Sequence, residues 1–414
     1  MSMLVPSYLH KFSCVGSTNC LLSCCQQKLF FLNREQYSLA KTTLSSNQKL
    51  YPLFKLGFSP LVESNNEDRY AFTRMNPTNN HCWMLSRDGA CQLQTEGDDS
   101  LKPSYCKQYP SLAFEIGTLR QNFLSPSCPE VSKIFFSDIN KIEFEISDSE
   151  PKLTYQKIPL LGSEEKYFLV RDFFANVLQT QEISILQRMM IICFSSENIV
   201  KYYQVNNLEK IKETIDSITD LVISGELLEI FEKNVFDESF HALLLVKLLQ
   251  IRHEKQLGKT SYDDLLLSIV SAFDLADQSI SLEERSIHAI PKIREGLQDL
   301  EFFLDKHPNF MGNLLLNHWL CYAFPNANKK VSFRNNMNAF LLFFLLQRLT
   351  LAAVAMGSAN LDDFEAQAAV AIAAFYREWV DDDSPMLYAA ATALTDSSLS
   401  DISNVLNLLA KINF

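Results

Sequence analysis

The stretch Ala339-Phe-Leu-Leu-Phe-Phe-Leu-Leu-Gln-Arg-Leu-Thr-Leu-Ala-Ala-Val-Ala-Met356 decides the fold of this chain. It is apolar and long enough to be tested as a membrane span. Gln347 and Arg348 lie at its middle, and an arginine at the centre of a spanning helix costs about 2.5–3.5 kcal/mol on insertion scales. The stretch therefore predicts a buried helix of a large helical domain and no membrane span.

Helical spacing of apolar residues continues on both sides of this stretch, from about Tyr167 to the end of the chain. Ser281, followed by Glu283 and Glu284, gives a start signal for one of these helices. The pattern predicts helices over 168–179, 183–203, 208–222, 240–256, 262–276, 282–306, 310–322, 333–356, 362–380 and 399–412.

The front of the chain, to about residue 150, is irregular and contains only short strand patterns. An Asp88-Gly89 pair between 82–85 and 90–94 predicts a hairpin that brings Cys82 close to Cys91. Residues 142–146 alternate strictly and predict a further strand. We therefore predict a mainly α protein in which a small cysteine-rich α+β metal-binding region, 1–150, packs on an all-helical domain, 151–414.

Cysteine is concentrated in the front region. Eight of the ten cysteines lie in the first 128 positions: Cys14, Cys20, Cys24, Cys25, Cys82, Cys91, Cys106 and Cys128. Thiolate is the ligand that soft and borderline metals prefer, so these eight residues are candidate ligands of Zn²⁺ or of an iron–sulfur centre. Cys193 and Cys321 lie in apolar helical stretches and are expected to be core residues.

A disulfide framework is the competing interpretation of the eight cysteines. The N-terminal sequence MSMLVPSYLHKF has no uninterrupted apolar segment and no secretory cleavage site, which predicts a cytoplasmic protein with reduced thiols. The adjacent pair Cys24-Cys25 closes a disulfide only with strain, whereas two neighbouring thiolates can both face a metal. Both observations favour metal binding.

Charge and glycine spacing exclude several classes of protein. The net charge of −12, without a lysine- or arginine-rich run, argues against a nucleic-acid partner. The eleven glycines are all at least eight residues apart, so neither a dinucleotide-binding glycine motif nor a P-loop is present. The seven histidines are dispersed and form no H-E-x-x-H motif, which argues against a histidine-built catalytic zinc site.

Four segments around the cysteines resemble the flagellin lysine N-methylase family. They are Pro6-Ser-Tyr-Leu-His-Lys-Phe-Ser-Cys14-Val-Gly-Ser-Thr-Asn-Cys20-Leu-Leu-Ser-Cys24-Cys25, His81-Cys82 with Asp88-Gly-Ala-Cys91, Tyr105-Cys106-Lys-Gln-Tyr-Pro110, and Leu124-Ser-Pro-Ser-Cys128-Pro-Glu130. The similarity continues more weakly through Arg171-Asp-Phe-Phe, Leu186-Gln-Arg188 and Asn313 to Pro325. It thus spans most of the chain.

The resemblance implies methyl transfer from S-adenosylmethionine to lysine side chains of flagellin, with a [4Fe-4S] cluster required and zinc as the alternative metal. The acceptor ammonium, with a pKa of about 10.4, must lose a proton before it can attack. Tyr105, Tyr109, Glu115 and Glu130 are candidate proton acceptors because they neighbour cysteines in the sequence. No catalytic or S-adenosylmethionine-binding residue is assigned beyond these candidates.

The chain departs from the family pattern at two places. Gln27-Lys28 and Asn33 stand where the family carries a Gly-Trp pair and an Asp, and Arg377 leads into Asp381-Asp382-Asp383 rather than a nearby His. Two further functions therefore stay open. One is a non-catalytic zinc or iron–sulfur module that docks a partner, and the other is a paralogue that binds without turnover.

Overall fold

The computed structural model describes most of the chain. The described residues are 3–16, 19–26, 30–61, 70–137, 141–147, 153–160, 162–233, 242, 246, 262–277, 279–326, 331–381, 387–388 and 391. The statements below concern these residues.

Helices dominate the described chain, and the strands are confined to its first 160 residues. The helices are α1 Arg34–Leu44, α2 Leu50–Gly57, α3 Gln92–Thr95, α4 Ser104–Gln108, α5 Pro129–Phe136, α6 Glu164–Gln179, α7 Ile185–Gln204, α8 Leu208–Ile223, α9 Glu226–Lys233, α10 Tyr262–Ala272, α11 Leu282–Leu304, α12 Phe310–Cys321, α13 Phe333–Gly357 and α14 Leu361–Trp379. The strands are β1 Met3–Pro6, β2 Phe31–Leu32, β3 Phe58–Pro60, β4 Ala71–Thr73, β5 Ser111–Ile116, β6 Leu119–Leu124, β7 Phe144–Ser147 and β8 Gln156–Ile158. The mainly α prediction is confirmed.

Side-chain caps fix where the long helices begin. Ser184 and Ser281 each accept a hydrogen bond from the backbone three residues on, and the side chains of Gln187 and Glu284 bond back to the cap residue. These reciprocal bonds satisfy N–H groups that a helix end otherwise leaves open. The start signal at Ser281 is therefore confirmed.

Helix α13, which contains the apolar stretch 339–356, lies at the centre of the helical part. Its most apolar window has a mean hydropathy of 2.0 and is 94% buried inside the protein. Among the described residues it is the one helix long and apolar enough to cross a membrane. It packs against α7, α10, α11 and α14, as a core helix does. The absence of a membrane span stays a prediction.

Two small sheets build the front of the chain. The larger has the strand order β7-β1-β6-β5-β8, in which β1 runs parallel to β6 and antiparallel to β7. The smaller has the order β2-β4-β3 and is antiparallel. Strand β6 and helix α5, which follows it, contact α12 and α14. The front and the helices therefore share one large hydrophobic core that includes Tyr8, Phe123 and Phe135.

A second, smaller core lies under the middle cysteines. It is formed by Leu32, Leu50, Phe54, Met84 and Leu93, with Cys82 and Cys91 packed against its edge. This core supports the segment that carries these two cysteines.

Seven predicted helices agree with the structure within a few residues at each end, namely α6 to α8 and α11 to α14. Helix α10 begins where predicted but ends at Ala272, four residues before the predicted end. Helix α9 was not predicted. The predicted helices at 240–256 and 399–412 lie almost entirely or entirely outside the described residues. The division of the chain at residue 150 stays a prediction.

The predicted hairpin is partly wrong. Its turn is present, since the N–H of Ser86 donates to the carbonyl of Ala90 at 2.8 Å and Gly89 has a φ of +77°. The second predicted strand, 90–94, is helical from Gln92 onward, because Cys91 begins helix α3. Only one bridge, between Leu85 and Cys91, joins the two arms.

Candidate functional site

A cavity of about 570 Å³ lies in the front part of the chain, and all eight candidate cysteines line it. Its other walls are mostly apolar and aromatic. Among them are Phe12, Phe30, Phe58, Met84 and Tyr109. Residues that lie more than a hundred positions apart in the sequence thus face one partly open cavity.

Backbone hydrogen bonds bring the first cysteine group against the middle group. The N–H of Cys82 donates to the carbonyl of Cys25 at 2.7 Å. Beside this bond, Gln26 and His81 form an isolated bridge, and their side chains are hydrogen-bonded at 3.0 Å. The predicted turn at Gly89 then returns the chain so that Cys91 joins the same wall.

The last two cysteines are carried by short helices. Cys106 lies within α4, and Cys128 is the residue from which α5 begins, with Pro129 in the first turn. Proline suits this position because its missing N–H would have no partner there. The packing of α5 on α14 and α12 fixes Cys128 against the helical core.

The cavity thiols raise one another's pKa. Burial is the largest of the causes that raise the pKa of Cys82 to about 11, and nearby Cys91 and Cys24 contribute to that rise. Burial likewise raises the pKa of Cys106 above its usual range, with Cys82, Cys24 and Cys91 as further causes. The hydrogen bond that the Cys25 thiol donates to Cys24 is the largest cause of the raised pKa of Cys25. These five thiols are therefore close enough to interact electrostatically.

Cys20 and Cys128 form a second electrostatic neighbourhood. Burial raises the pKa of Cys128 to about 12, with a smaller contribution from Cys20. Burial also raises the pKa of Cys20, and Glu130 and Cys24 contribute. Cys24 therefore connects the two neighbourhoods.

The donor set suits a thiolate-bound metal group in its chemistry. Burial favours the neutral thiols even beside Lys102 and Arg377, whose charges oppose the rise in pKa, and a bound metal cation would reverse that preference. Within the described ranges, no three His, Cys, Asp or Glu side chains converge as a ready-made metal site. The thiols line one cavity, and the ligand set among them stays a prediction.

Arg377, on helix α14, holds the first cysteine segment in place. Its guanidinium donates to the backbone carbonyls of Leu22, Ser23, Gln26 and Ser127 at 2.9–3.1 Å. Five fixed donors in one plane allow arginine to span several acceptors, which lysine cannot do. Helix α14 therefore positions Cys20, Cys24 and Cys25 from one side and Cys128 from the other.

Two of the four candidate proton acceptors reach the cavity. Tyr109 and Glu130 line it, and Glu130 also pairs with Lys133 at 2.7 Å. Glu115 does not line it and instead pairs with Arg120 and Lys157. Tyr105 is not among the lining residues either.

A row of hydroxyl groups leads from the cavity wall into the protein. The hydroxyls of Tyr109 and Ser127 are 3.1 Å apart, and those of Ser127 and Ser125 are 2.8 Å apart. The Ser125 hydroxyl is 3.2 Å from that of Tyr322, which donates to Asp381 at 3.4 Å. Sequence reasoning assigned no role to either serine or to Tyr322.

The departures from the family pattern have identifiable places in the structure. Asn33 caps helix α1 and forms a reciprocal capping box with Gln36. Asp381 accepts from Tyr322, whereas Gln27, Lys28, Asp382 and Asp383 lie outside the described residues. Asn33 is thus accounted for by local structure.

Fold and cavity together define a mainly α protein with a thiol-lined site in its front part. The family model for the FliB lysine N-methylase C-terminal domain matches residues 171–408. The chain belongs to this family, and the resemblance inferred from the cysteine segments is confirmed. Neither a comparison with curated proteins nor one with solved structures gave a significant match.

Proposed function

We propose that this chain transfers methyl groups from S-adenosylmethionine to lysine side chains of flagellin in the bacterial cytoplasm, with a [4Fe-4S] cluster held by cysteines of the cavity. The observation that carries the proposal is that all eight front cysteines line one cavity in a chain of a lysine N-methylase family. Zinc bound by the same thiols is the alternative.

The ligands would come from the group Cys24, Cys25, Cys82, Cys91 and Cys106 or from the neighbouring pair Cys20 and Cys128, which share the cavity wall with Cys14. When bound, the cluster would fix the cofactor, and S-adenosylmethionine would supply an electrophilic methyl group. No glycine-rich loop is available in this chain for that binding role.

The chain's own residues suit the acceptor lysine. Glu130 places a carboxylate at the cavity wall, where it attracts an ammonium group. The apolar lining around Phe12 and Phe30 disfavours a charged amine, because removal from water penalises the ionised form. Tyr109 supplies a hydroxyl to which the amine proton can pass. Glu130 would thus draw the ammonium in, and the apolar lining and Tyr109 would produce the neutral amine that attack on the methyl group needs.

The test is anaerobic purification, metal analysis and mass spectrometry of flagellin incubated with the protein and S-adenosylmethionine. We expect iron and inorganic sulfide in the protein, and lysines that gain the mass of methyl groups. Cys24→Ser should lower both iron content and methylation. Cys193→Ser, in the helical core away from the cavity, is the matched control and should keep both.

Two results would overturn the proposal. Protein that contains zinc, is indifferent to S-adenosylmethionine and leaves flagellin unmodified would be a structural module. Protein that binds S-adenosylmethionine without methylating flagellin would be an inactive paralogue.

A further inference from the structure

The row of hydroxyls behind Tyr109 is buried at its centre. Ser125 is 1% exposed and Ser127 is fully buried. Their hydroxyls bond to each other and to a tyrosine on either side. A buried hydroxyl without a partner costs free energy, so a continuous row is a way of keeping each one satisfied.

The two ends of the row lie in different surroundings. Tyr109 lines the cavity. Asp381, just after the end of α14, is partly exposed. The row thus joins the cavity to a partly exposed aspartate, through residues from four separate parts of the chain.

We propose that Tyr109, Ser127, Ser125, Tyr322 and Asp381 form a proton exit path for the lysine ammonium that binds in the cavity. This inference rests on the proposed methyl transfer and adds the route by which its proton leaves. Each hydroxyl in the row can accept one hydrogen bond while it donates another, which is the property that stepwise proton transfer needs.

The step balances in atoms and charge. An N–H bond of the ammonium breaks, and its proton binds the Tyr109 oxygen as the Tyr109 proton passes to Ser127. The same exchange at Ser127, Ser125 and Tyr322 delivers one proton to the Asp381 carboxylate, from which water removes it. The amine keeps the electron pair of the broken bond, and the row returns to its starting composition.

The surroundings of Tyr109 favour a concerted transfer over a stable tyrosinate. Burial raises the pKa of Tyr109 well above its usual range, and Cys128 and Asp381 add to the rise, while Arg377 opposes it. A charged tyrosinate is therefore unfavourable, and the proton must leave as it arrives. Arg377 also bonds the carbonyl of Ser127 at 3.1 Å, which holds the middle of the row in register.

The test compares Tyr322→Phe with Tyr203→Phe in the intact protein acting on flagellin. Tyr203 is also a buried tyrosine, but its hydroxyl bonds Asn326 outside the row. We expect Tyr322→Phe to lower kcat about 100-fold, the lower end of the effect of a lost proton-transfer group, with little change in KM. Its solvent deuterium isotope effect should rise, whereas Tyr203→Phe should keep both values of the unaltered protein.

A rescue experiment examines the outer end of the row. Asp381→Ala should lower kcat, and added formate should restore part of it, because a small carboxylate can replace the lost proton acceptor. Asp362→Ala removes an exposed aspartate from helix α14, which ends just before Asp381, and should be indifferent to formate. Ser125→Ala interrupts the row at another hydroxyl. It replaces Tyr322→Phe in the test if that variant does not fold.

The outcomes separate this inference from the proposed function. If the unaltered chain methylates flagellin and the Tyr322→Phe and Asp381→Ala variants match their controls in kcat and isotope effect, the proton path alone is overturned. Absence of methylation by the unaltered chain overturns the proposed function and the path with it. Loss of kcat in Tyr322→Phe with rescue of Asp381→Ala supports the path.

Discussion

Replacing Arg377 by alanine should loosen the first cysteine segment while the helical core stays folded. The guanidinium makes four hydrogen bonds to backbone carbonyls, and a hydrogen bond from a charged donor contributes about 1.5–3 kcal/mol. Four bonds at the lower value give about 6 kcal/mol. Water recovers part of this at the exposed carbonyls, although Ser23 is only 3% exposed. We expect about 3 kcal/mol of local stability to be lost.

Hydrogen exchange read by mass spectrometry measures this loss directly. The N–H of Gln26 bonds the Ser23 carbonyl, and that of Cys25 bonds the Ser23 hydroxyl. A loss of about 3 kcal/mol in the free energy of local opening corresponds to roughly 100-fold faster exchange at these amides. Arg377→Lys should give an intermediate rate, because an ammonium keeps the charge but cannot span the same carbonyls.

Arg348→Ala is the matched control. Arg348 also has a largely buried side chain, and it pairs with Glu301 at 2.9 Å within the helical part. Its removal should leave exchange at Cys25 and Gln26 unchanged. If Arg377→Ala changes their exchange less than threefold, the segment is held by something other than this guanidinium, and the positioning role assigned to α14 is refuted.

Three further predictions concern stability, each read from denaturant unfolding. Gly117→Ala should destabilise by about 0.5–1.5 kcal/mol more than Gly225→Ala. Both have positive φ, but only at Gly117 would a Cβ displace the flexible Glu164 carboxylate from its hydrogen bonds to Thr118; equal losses would contradict this. Phe343→Ala, which removes a fully buried ring in α13, should cost about 3–5 kcal/mol, and a loss below about 1 kcal/mol would argue against the central position of that helix. Burial raises the pKa of Cys193, so above about pH 8.5 the unfolded thiol ionises while the folded one keeps its proton. Stability should then fall by about 1.4 kcal/mol per pH unit relative to Cys193→Ala, and parallel pH profiles of the two proteins would contradict it.

The helical part of the fold could be predicted because each helix carries its own signals. Apolar spacing and the caps at Ser184 and Ser281 are local, and the structure places these helices within a few residues of the predicted bounds. The strand predicted at 90–94 failed because Cys91 begins a helix over the smaller core, and that packing is tertiary. Periodicity over five residues does not separate a short strand from one helical turn.

Of the candidate site, only the sulfur-donor cysteines could be predicted from the sequence. The eight cysteines are visible in the sequence, and the structure brings them to one cavity. The residues that position them are not visible, because Arg377 lies 355 residues from Leu22 and contacts backbone atoms that any sequence would supply. The hydroxyl row was missed for a related reason: Ser125 and Ser127 lie in the motif around Cys128, but their partner Tyr322 is 197 residues from Ser125.

The hydrogen bond from Arg377 of α14 to the Leu22 carbonyl can form only late in biosynthesis. The ribosome must add 355 residues after Leu22 before Arg377 exists, which takes roughly 20–70 s at typical elongation rates. Throughout that interval the cysteine thiols of the first segment lack the hydrogen bonds from Arg377, and they are accessible to oxidants and to free metal ions. Any group that the cavity binds is therefore expected to be held in place only after α14 has been synthesised and has packed against the first cysteine segment.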